Sequence, residues 1–413
     1  MTQRMTEQRN LFAQVLDPAH RPNPYPLYAQ LRETPVVRQE DGTYVVSTYR
    51  EIVALLHDPP ISSDKRKSTH GASAQAASGK LASRGLESNP PFLFLDPPDH
   101  DRLRRLVMHQ FTPERVEGMR EQIVQLVNSL LDAQRDRSQL DIVDDLAYPL
   151  PVTVICQLLG VPREDESRFH PWATALARSL DPEQSMSEAD VKQAAQATIQ
   201  MREYLRNLVA VRRAQPGDDL MSGLVAGDDP AGRMNEDELL STMGLLLVAG
   251  HETTVNLITN GMLTLLRHPD VLDRLRHDPD FVIHTVEEVL RYEPPVQFLG
   301  RTTLTDIEVA GVTIPKGATV LLLLASGNRD PLRFPEAERF DPNRADNEHL
   351  GFGAGIHYCV GAPLARVEAQ IALSTLARRL VNPRLLADPP PYRKNAVLRG
   401  PEHLLVAFDR LAD

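Results

Sequence analysis

The sequence predicts a mainly α-helical fold with small β-sheets, an α+β chain in which helices dominate. Three observations carry that expectation. Helical periodicity fills most of residues 99–213. One uninterrupted helical pattern runs from Glu236 to about Arg267, and over 239–250 it is apolar on nearly every face, the mark of a central helix. Strand-like runs, by contrast, are few and short. At about 1.5 Å per residue the long helix spans roughly 45 Å, enough to cross a whole domain.

In chain order, Asn23-Pro24-Tyr25-Pro26 opens a short helix through Leu31. A hairpin follows, with Val36-Val37, a turn at Asp41-Gly42, then Tyr44-Val45-Val46. Residues 65–91 are rich in Ser, Ala and Gly and read as a long mobile loop, a kind that is usually functional. The helical pattern over 99–160 is expected to break at Pro149 and Pro151. Further helices are expected over 164–179 and 187–213, parted near Asp181, and Gln215-Pro216-Gly217-Asp218-Asp219 is a stop. Asn235 can cap the long helix, with Glu238 reaching back as its capping-box partner. Strand-like runs follow at 302–309 and 320–324. A proline-rich meander over 330–342 then leads to a glycine-dense loop around Cys359. The last helix starts near Ala362, with Pro363 in its first turn, where a missing N–H costs nothing. No internal repeat interrupts this order.

Composition narrows the function classes. At 413 residues, length alone allows two or three domains. A formal net charge of −11 argues against a nucleic-acid partner. Two cysteines at unrelated positions make no disulfide framework, and Cys156, in the apolar run over 152–156, reads as core. The first ten residues are polar, and no apolar stretch approaches the ~20 residues of a membrane span. The expectation is a soluble cytoplasmic protein with no membrane partner.

Cys359 keeps the most informative company: Phe352-Gly353-Ala354-Gly355-Ile356-His357-Tyr358-Cys359-Val360-Gly361. A thiolate just before a helix N-terminus is favoured by the dipole and by free amides. Glycines let such a loop press sulfur against a flat metal cofactor. An isolated cysteine is usually a small buried hydrophobe, but Phe-x-x-Gly-x-His-x-Cys-x-Gly resembles the heme-binding loop of the cytochrome P-450 family. The resemblance runs from about Asn23 to the C-terminus. It implies one heme-thiolate domain over 23–413, preceded by a partly flexible segment, 1–22. It also implies the cytochrome P-450 fold, with heme b (iron protoporphyrin IX) between the long distal helix and the proximal Cys loop. Cys359 is then the axial iron ligand, whose electron donation favours O–O cleavage. Phe352, Gly353, His357 and Gly361 become cofactor contacts.

Ala249-Gly250-His251-Glu252-Thr253-Thr254 interrupts the apolar middle of the long helix, where polar groups are costly without partners or a task. His251-Glu252 opens like the zinc motif His-Glu-x-x-His, but position 255 is Val and that reading fails. The fragment resembles the family's oxygen-activation motif. There Ala249 and Gly250 border the oxygen site, Gly250 loosens the helix, Thr253 hydrogen-bonds bound oxygen and Glu252 relays protons. The plainer alternative is that Thr253 bonds back to the carbonyl four residues earlier.

Glu288 and Arg291 form an i,i+3 pair that alone contributes only about 0.2–0.5 kcal/mol. With Phe340-Asp341-Pro342-Asn343-Arg344 downstream, they resemble the family's buried ionic cluster: Glu288, Arg291 and Arg344, with Arg339 a weaker claimant for the third place. His100 and Arg104 lie four apart after Leu95-Asp96-Pro97-Pro98. By resemblance these two grip heme propionates, with Arg301 and His357 as further contacts.

The implied function is a monooxygenase that inserts one atom of O2 into a lipophilic small molecule by hydroxylation or epoxidation. Neither a flavin module after Asp413 nor a Gly-x-Gly-x-x-Gly fingerprint is present, so electrons are expected from a ferredoxin and a ferredoxin reductase. Arg102, Arg104 and Arg105 offer a basic docking patch, although a solvated helix face explains Arg102 and Arg105 as well. By family position the substrate pocket draws on Leu86, Leu93, Phe94, Trp172, Leu180, Val248, Val296, Phe298 and Val397. These suit a lipophilic substrate without choosing one. The chain most resembles biosynthetic hydroxylases of actinobacterial type, in secondary metabolism. The alternatives are a carrier-bound substrate, a peroxide-driven peroxygenase, which Glu252-Thr253 argues against, and a heme-based gas sensor.

Overall fold

The computed structural model describes residues 11–58, 60–69, 90–109, 111–182, 185–227 and 232–412. The helices that position the site are α1 (Asp99–Met108), α2 (Pro149–Leu159), α3 (Phe169–Arg178), α4 (Glu188–Ala214), α5 (Glu236–Arg267), α6 (Val282–Tyr292) and α7 (Ala362–Arg379).

Local chemistry starts α5 where the sequence said it would. Asn235 Oδ1 accepts from Glu238 N and Glu238 Oε2 accepts from Asn235 N, both at 2.9 Å. Three acidic residues in that first turn meet the positive end of the helix dipole. Most of α5 is buried, because α2, α3, α4 and α7 all pack against it. Its glycines mark the close crossings. A Cβ at Gly250 would lie 3.1 Å from Ile155 Cδ1 of α2, and one at Gly261 would lie 2.8 Å from Leu373 Cδ1 of α7. The largest apolar cluster is built on this helix, with Cys156 buried in it as expected.

Two expectations need correction. Pro149 and Pro151 do not break a helix; they sit in the first turn of α2, where their missing N–H groups are not needed. The interruption comes earlier, at strand Gln139–Asp141, which pairs with Leu405–Ala407, and at the π turn Val143–Ala147. The strand-like run over 302–309 is also split. Its first half belongs to Leu299–Thr303, while Ile307–Val309 forms a separate hairpin with Val312–Ile314.

The main sheet consists of β1 (Val36–Arg38), β2 (Tyr44–Val46), β3 (Ile61–Ser62), β4 (Leu299–Thr303) and β5 (Thr319–Leu322), in the order β1-β2-β5-β4-β3. The expected hairpin is present, with Val36 opposite Val46, and β2 runs parallel to β5. This sheet matters because β4 carries Arg301 and β3 leads into Ser63. Most of the expected loop over 65–91, including Leu86, lies outside the described residues, as do residues 1–10. Among the described residues, no helix is long and apolar enough to cross a membrane.

Candidate active site

Gly353 and Gly355 take φ of +71° and +69°, which L side chains rarely adopt. A Cβ at Gly355 would come 2.2 Å from Leu56 O, so this side of the Cys loop lies hard against helix Tyr49–Leu56. A Cβ at Gly353 or Gly361 would meet nothing within 4 Å, so the other side is open. Cys359 N donates to Phe352 O at 3.0 Å and closes the loop.

The Cys359 side chain is open to solvent yet ringed by protein, as at the floor of a crevice. Burial raises its thiol pKa, and this outweighs the Gly361 and Ala362 amides and the charges of Arg104 and Arg366, which pull it down. The amides expected to favour thiolate at the helix start are present, and burial acts against them.

Helix α6 braces this loop from behind. Glu287 accepts from Arg366 Nε and Nη2 at 2.7 and 2.9 Å, and its Oε2 lies 3.1 Å from His349 Nε2. The Arg366 guanidinium also stands 4.6 Å from the Phe352 ring centre. Burial works to raise the Glu287 carboxyl pKa, but the hydrogen bonds from Arg366 and His349 win and hold it at about 2. A carboxyl depressed on folding stabilises above its unfolded pKa, here the ordinary 4.5, and that contribution disappears as pH falls toward about 2. Acid titration of Glu287→Gln should therefore lack part of the stability loss that the parent shows between those values, with unfolding followed at each pH.

Next to it in sequence, Glu288 and Arg291 are both fully buried. Arg291 Nε and Nη2 donate to Glu288 at 2.8 and 2.7 Å. Its remaining N–H groups reach Asn328 O, Ala337 O and Arg339 O at 2.9, 2.8 and 2.9 Å. Arg344 takes the third place, with Nε 3.6 Å from Glu288 Oε2. Arg339 contributes its carbonyl, while its guanidinium faces Glu336 at the surface.

A group of cations and imidazoles collects near the loop. His100 is buried on α1, its Nδ1 2.8 Å from Asp101 Oδ1, and its ring centre lies 4.3 Å from that of His357. His357 Nε2 meets Ser63 Oγ at 2.9 Å. Burial, aided by Arg301 and His100, pushes the His357 pKa down to about 3. His100 Nε2 and His357 Nδ1 are buried with no hydrogen-bond partner among the described residues. Arg301 donates to Gly300 O at 2.9 Å, and burial pushes its pKa down to about 10 against the pull of Asp96. Arg104 Nη2 donates to Tyr358 O at 2.7 Å. Arg102 is instead tied to Glu238 of α5, so the expected basic patch loses it; Arg105 stays exposed.

On α5, Ala249 is exposed and Thr253 half-buried, on one face by helical periodicity. Leu247, Val248 and His251 lie on the roughly opposite face, lining a small cavity with Val152, Cys156, Phe169 and Met201. Thr253 Oγ1 donates to Ala249 O at 2.7 Å, so the plainer back-bond is made. That bond uses the hydroxyl's proton and leaves its lone pairs to accept. Glu252 is buried, with Oε2 2.7 Å from Arg393 Nη1 and Oε1 accepting from Thr174 Oγ1 at 3.3 Å. Neither partner was visible in the sequence, which carries no local signal for them. Gly250 serves the crossing with Ile155.

The remaining pocket expectations separate. Leu180, Val296, Phe298 and Val397 share one apolar cluster with Phe12. Phe298 stacks edge-on against Phe12 at 5.9 Å. Trp172 packs edge-on with Phe169 at 5.3 Å and donates to Gln200 Oε1 at 2.9 Å. Leu93 and Phe94 are half-buried in the turn Phe92–Phe94.

The family model for cytochrome P450 matches residues 44–408. The chain belongs to the cytochrome P450 family. It is 42% identical over 401 residues to cytochrome P450 monooxygenase PikC of Streptomyces venezuelae, covering 94% of this chain and 92% of that protein. The ligand-free crystal structure of Mycobacterium smegmatis CYP164A2 superposes with a TM-score of 0.90 at 43% identity, covering 97% of this chain and all of that one. P450BioI in complex with an acyl carrier protein ligated to hexadec-9Z-enoic acid gives 0.88 at 36% identity, covering 95% and 99%. The mainly helical cytochrome P450 fold is therefore established, and the protein is an oxidoreductase of the monooxygenase class.

The cytochrome P450 family implies a heme cofactor. The residues present fit such a group: space opens beside Gly353 and Gly361, Cys359 lies between them, and buried polar atoms of His100 and His357 want partners.

Proposed function

We propose that this protein is a heme-b monooxygenase of the cytoplasm that inserts one atom of O2 into a lipophilic small molecule, using electrons from a ferredoxin and its reductase. One observation carries the reading. Two buried, unpartnered imidazole nitrogens, of His100 and His357, and the buried Arg301 guanidinium lie close together at the Cys359 loop. Cations and N–H donors left bare in that way are suited to the two carboxylates of heme.

In this reading Cys359 holds the iron, and His100, Arg104, Arg301 and His357 bind the propionates. Bound heme supplies the iron on which O2 is reduced. Gly353 and Gly361 let the backbone approach the macrocycle, while Phe352 packs behind the loop under Arg366. Thr253 keeps Oγ1 free to accept a hydrogen bond, and Glu252, the next residue, supplies the proton-relay carboxylate. Leu93, Leu180, Val296 and Val397 supply apolar surface for substrate.

Feeding 18O2 with NAD(P)H, ferredoxin and reductase should place one labelled atom in product, and turnover on peroxide alone should be far slower. Equal rates with peroxide would favour the peroxygenase. A substrate carried by an acyl carrier protein remains the second reading, because P450BioI is seen with such a partner. Spin-state shifts with free and carrier-bound acyl chains distinguish them. Thr253→Ala should keep heme but lower product formation by about 10²-fold, the scale of a lost proton-transfer partner, with electrons appearing as hydrogen peroxide. Fully coupled turnover in that variant would count against the relay.

A further inference from the structure

The cation that meets Glu252 comes from a distant segment, 141 residues on. Arg393 and Glu252 side chains are only 17% and 6% exposed, so solvent and salt screen their attraction weakly. The segment that carries Arg393 is itself pinned. Asp181, buried between α3 and α4, accepts from Ala396 N at 2.9 Å and from Val397 N at 2.8 Å, and it pairs with Arg178. On the other side, Gln297 N donates to Val397 O at 2.8 Å. One short stretch of chain thus joins the connection between α3 and α4, the apolar surface at Val296 and Val397, and the acid on α5.

We propose that Arg393 is a positioning residue for proton delivery, holding the Glu252 carboxylate in line beside Thr253 only while the segment over 393–397 is docked. This rests on Glu252 being the relay acid of the proposed function. A buried carboxylate stripped of its cation takes up a proton or turns toward water, and either response removes it from the line. His170, an imidazole that also faces Glu252, has its pKa lowered by burial, so it does not supply the arginine's fixed charge. Thr174 offers one neutral hydroxyl. The His251 ring, kept neutral by burial, packs edge-on to Tyr148 instead. Docking of the segment then links the apolar surface at Val296 and Val397 to alignment of the acid.

The test uses heme-loaded protein. Arg393→Gln should retain the carbon monoxide spectrum of the parent while sending about tenfold more of its electrons to peroxide, with a changed solvent deuterium isotope effect. Arg393→Lys should recover most of the coupling. In a Glu252→Gln background the arginine substitution should add nothing, because both act through one carboxylate. A second readout needs neither turnover nor the arginine variant. Glu252→Gln should speed amide exchange over 392–398 by about tenfold relative to Thr253→Ala, because Arg393 loses its anchor. Parental coupling in Arg393→Gln, additive losses in the double variant, or unchanged exchange in Glu252→Gln would each overturn the proposal. Failure of the parent reading looks different: Glu252→Gln itself would stay fully coupled.

Discussion

Cys359→Ala should abolish the red-shifted carbon monoxide band and cut turnover by more than about 100-fold, the upper end of what even indirect partners of a metal site cost when lost. The argument is electronic as well as structural. A thiolate donates charge to the iron that no neutral residue can supply, and O–O cleavage depends on that donation. Cys359→His separates the two contributions, since imidazole can hold iron but shifts the band to the position of a nitrogen ligand. Cys156 provides the internal control. Its thiol is buried beneath α5 and pushed up to about 12 by burial, so Cys156→Ala should leave the spectrum unchanged. A normal band in Cys359→Ala would end the assignment.

The free thiol is not pre-ionised in this structure, because burial outweighs the amides and arginines around it. With Cys359 as the proposed ligand, binding of iron would displace a proton, and heme loading should slow as pH falls.

What the sequence revealed was whatever nearby residues determine. The α5 cap needs residues three apart, and the Cys loop needs ten consecutive ones, so both were legible. Contacts such as Glu252 to Arg393, Asp181 to Val397 and Ser63 to His357 bridge 141, 216 and 294 residues and leave no local trace. Trp172 and Phe298 are as apolar as any pocket lining, and only the fold reveals that their rings pack against Phe169 and Phe12. Pro149 and Pro151 misled because a proline stops a helix from within but starts one from its first turn. At Gly250 the fold adds a close helix crossing with Ile155 that no sequence signal announced.

The second large effect is expected at Arg291, far from any proton transfer. Its five N–H groups are all spoken for: two meet Glu288 and three meet carbonyls of Asn328, Ala337 and Arg339. Those carbonyls belong to the chain leading toward the Cys359 loop, so one guanidinium holds both the acid and the approach to the ligand. Arg291→Met would strand Glu288, whose side chain is 0% exposed, together with three buried acceptors. Breaking one side of such a pair costs about 3–5 kcal/mol. At roughly 2.1 cal/mol/K per residue, a chain of 413 residues converts that to a fall of about 3–6 °C in thermal midpoint. Heme should also be lost faster, which transfer to a heme-scavenging globin would measure. Arg291→Lys should not rescue it, since an ammonium offers three donors from a point where five are needed in a plane. Arg339→Gln is the matched control: its side chain is at the surface, its carbonyl survives the substitution, and its midpoint should stay where it was. Equal midpoints for Arg291→Met and Arg339→Gln would mean that the buried cluster does not brace the loop.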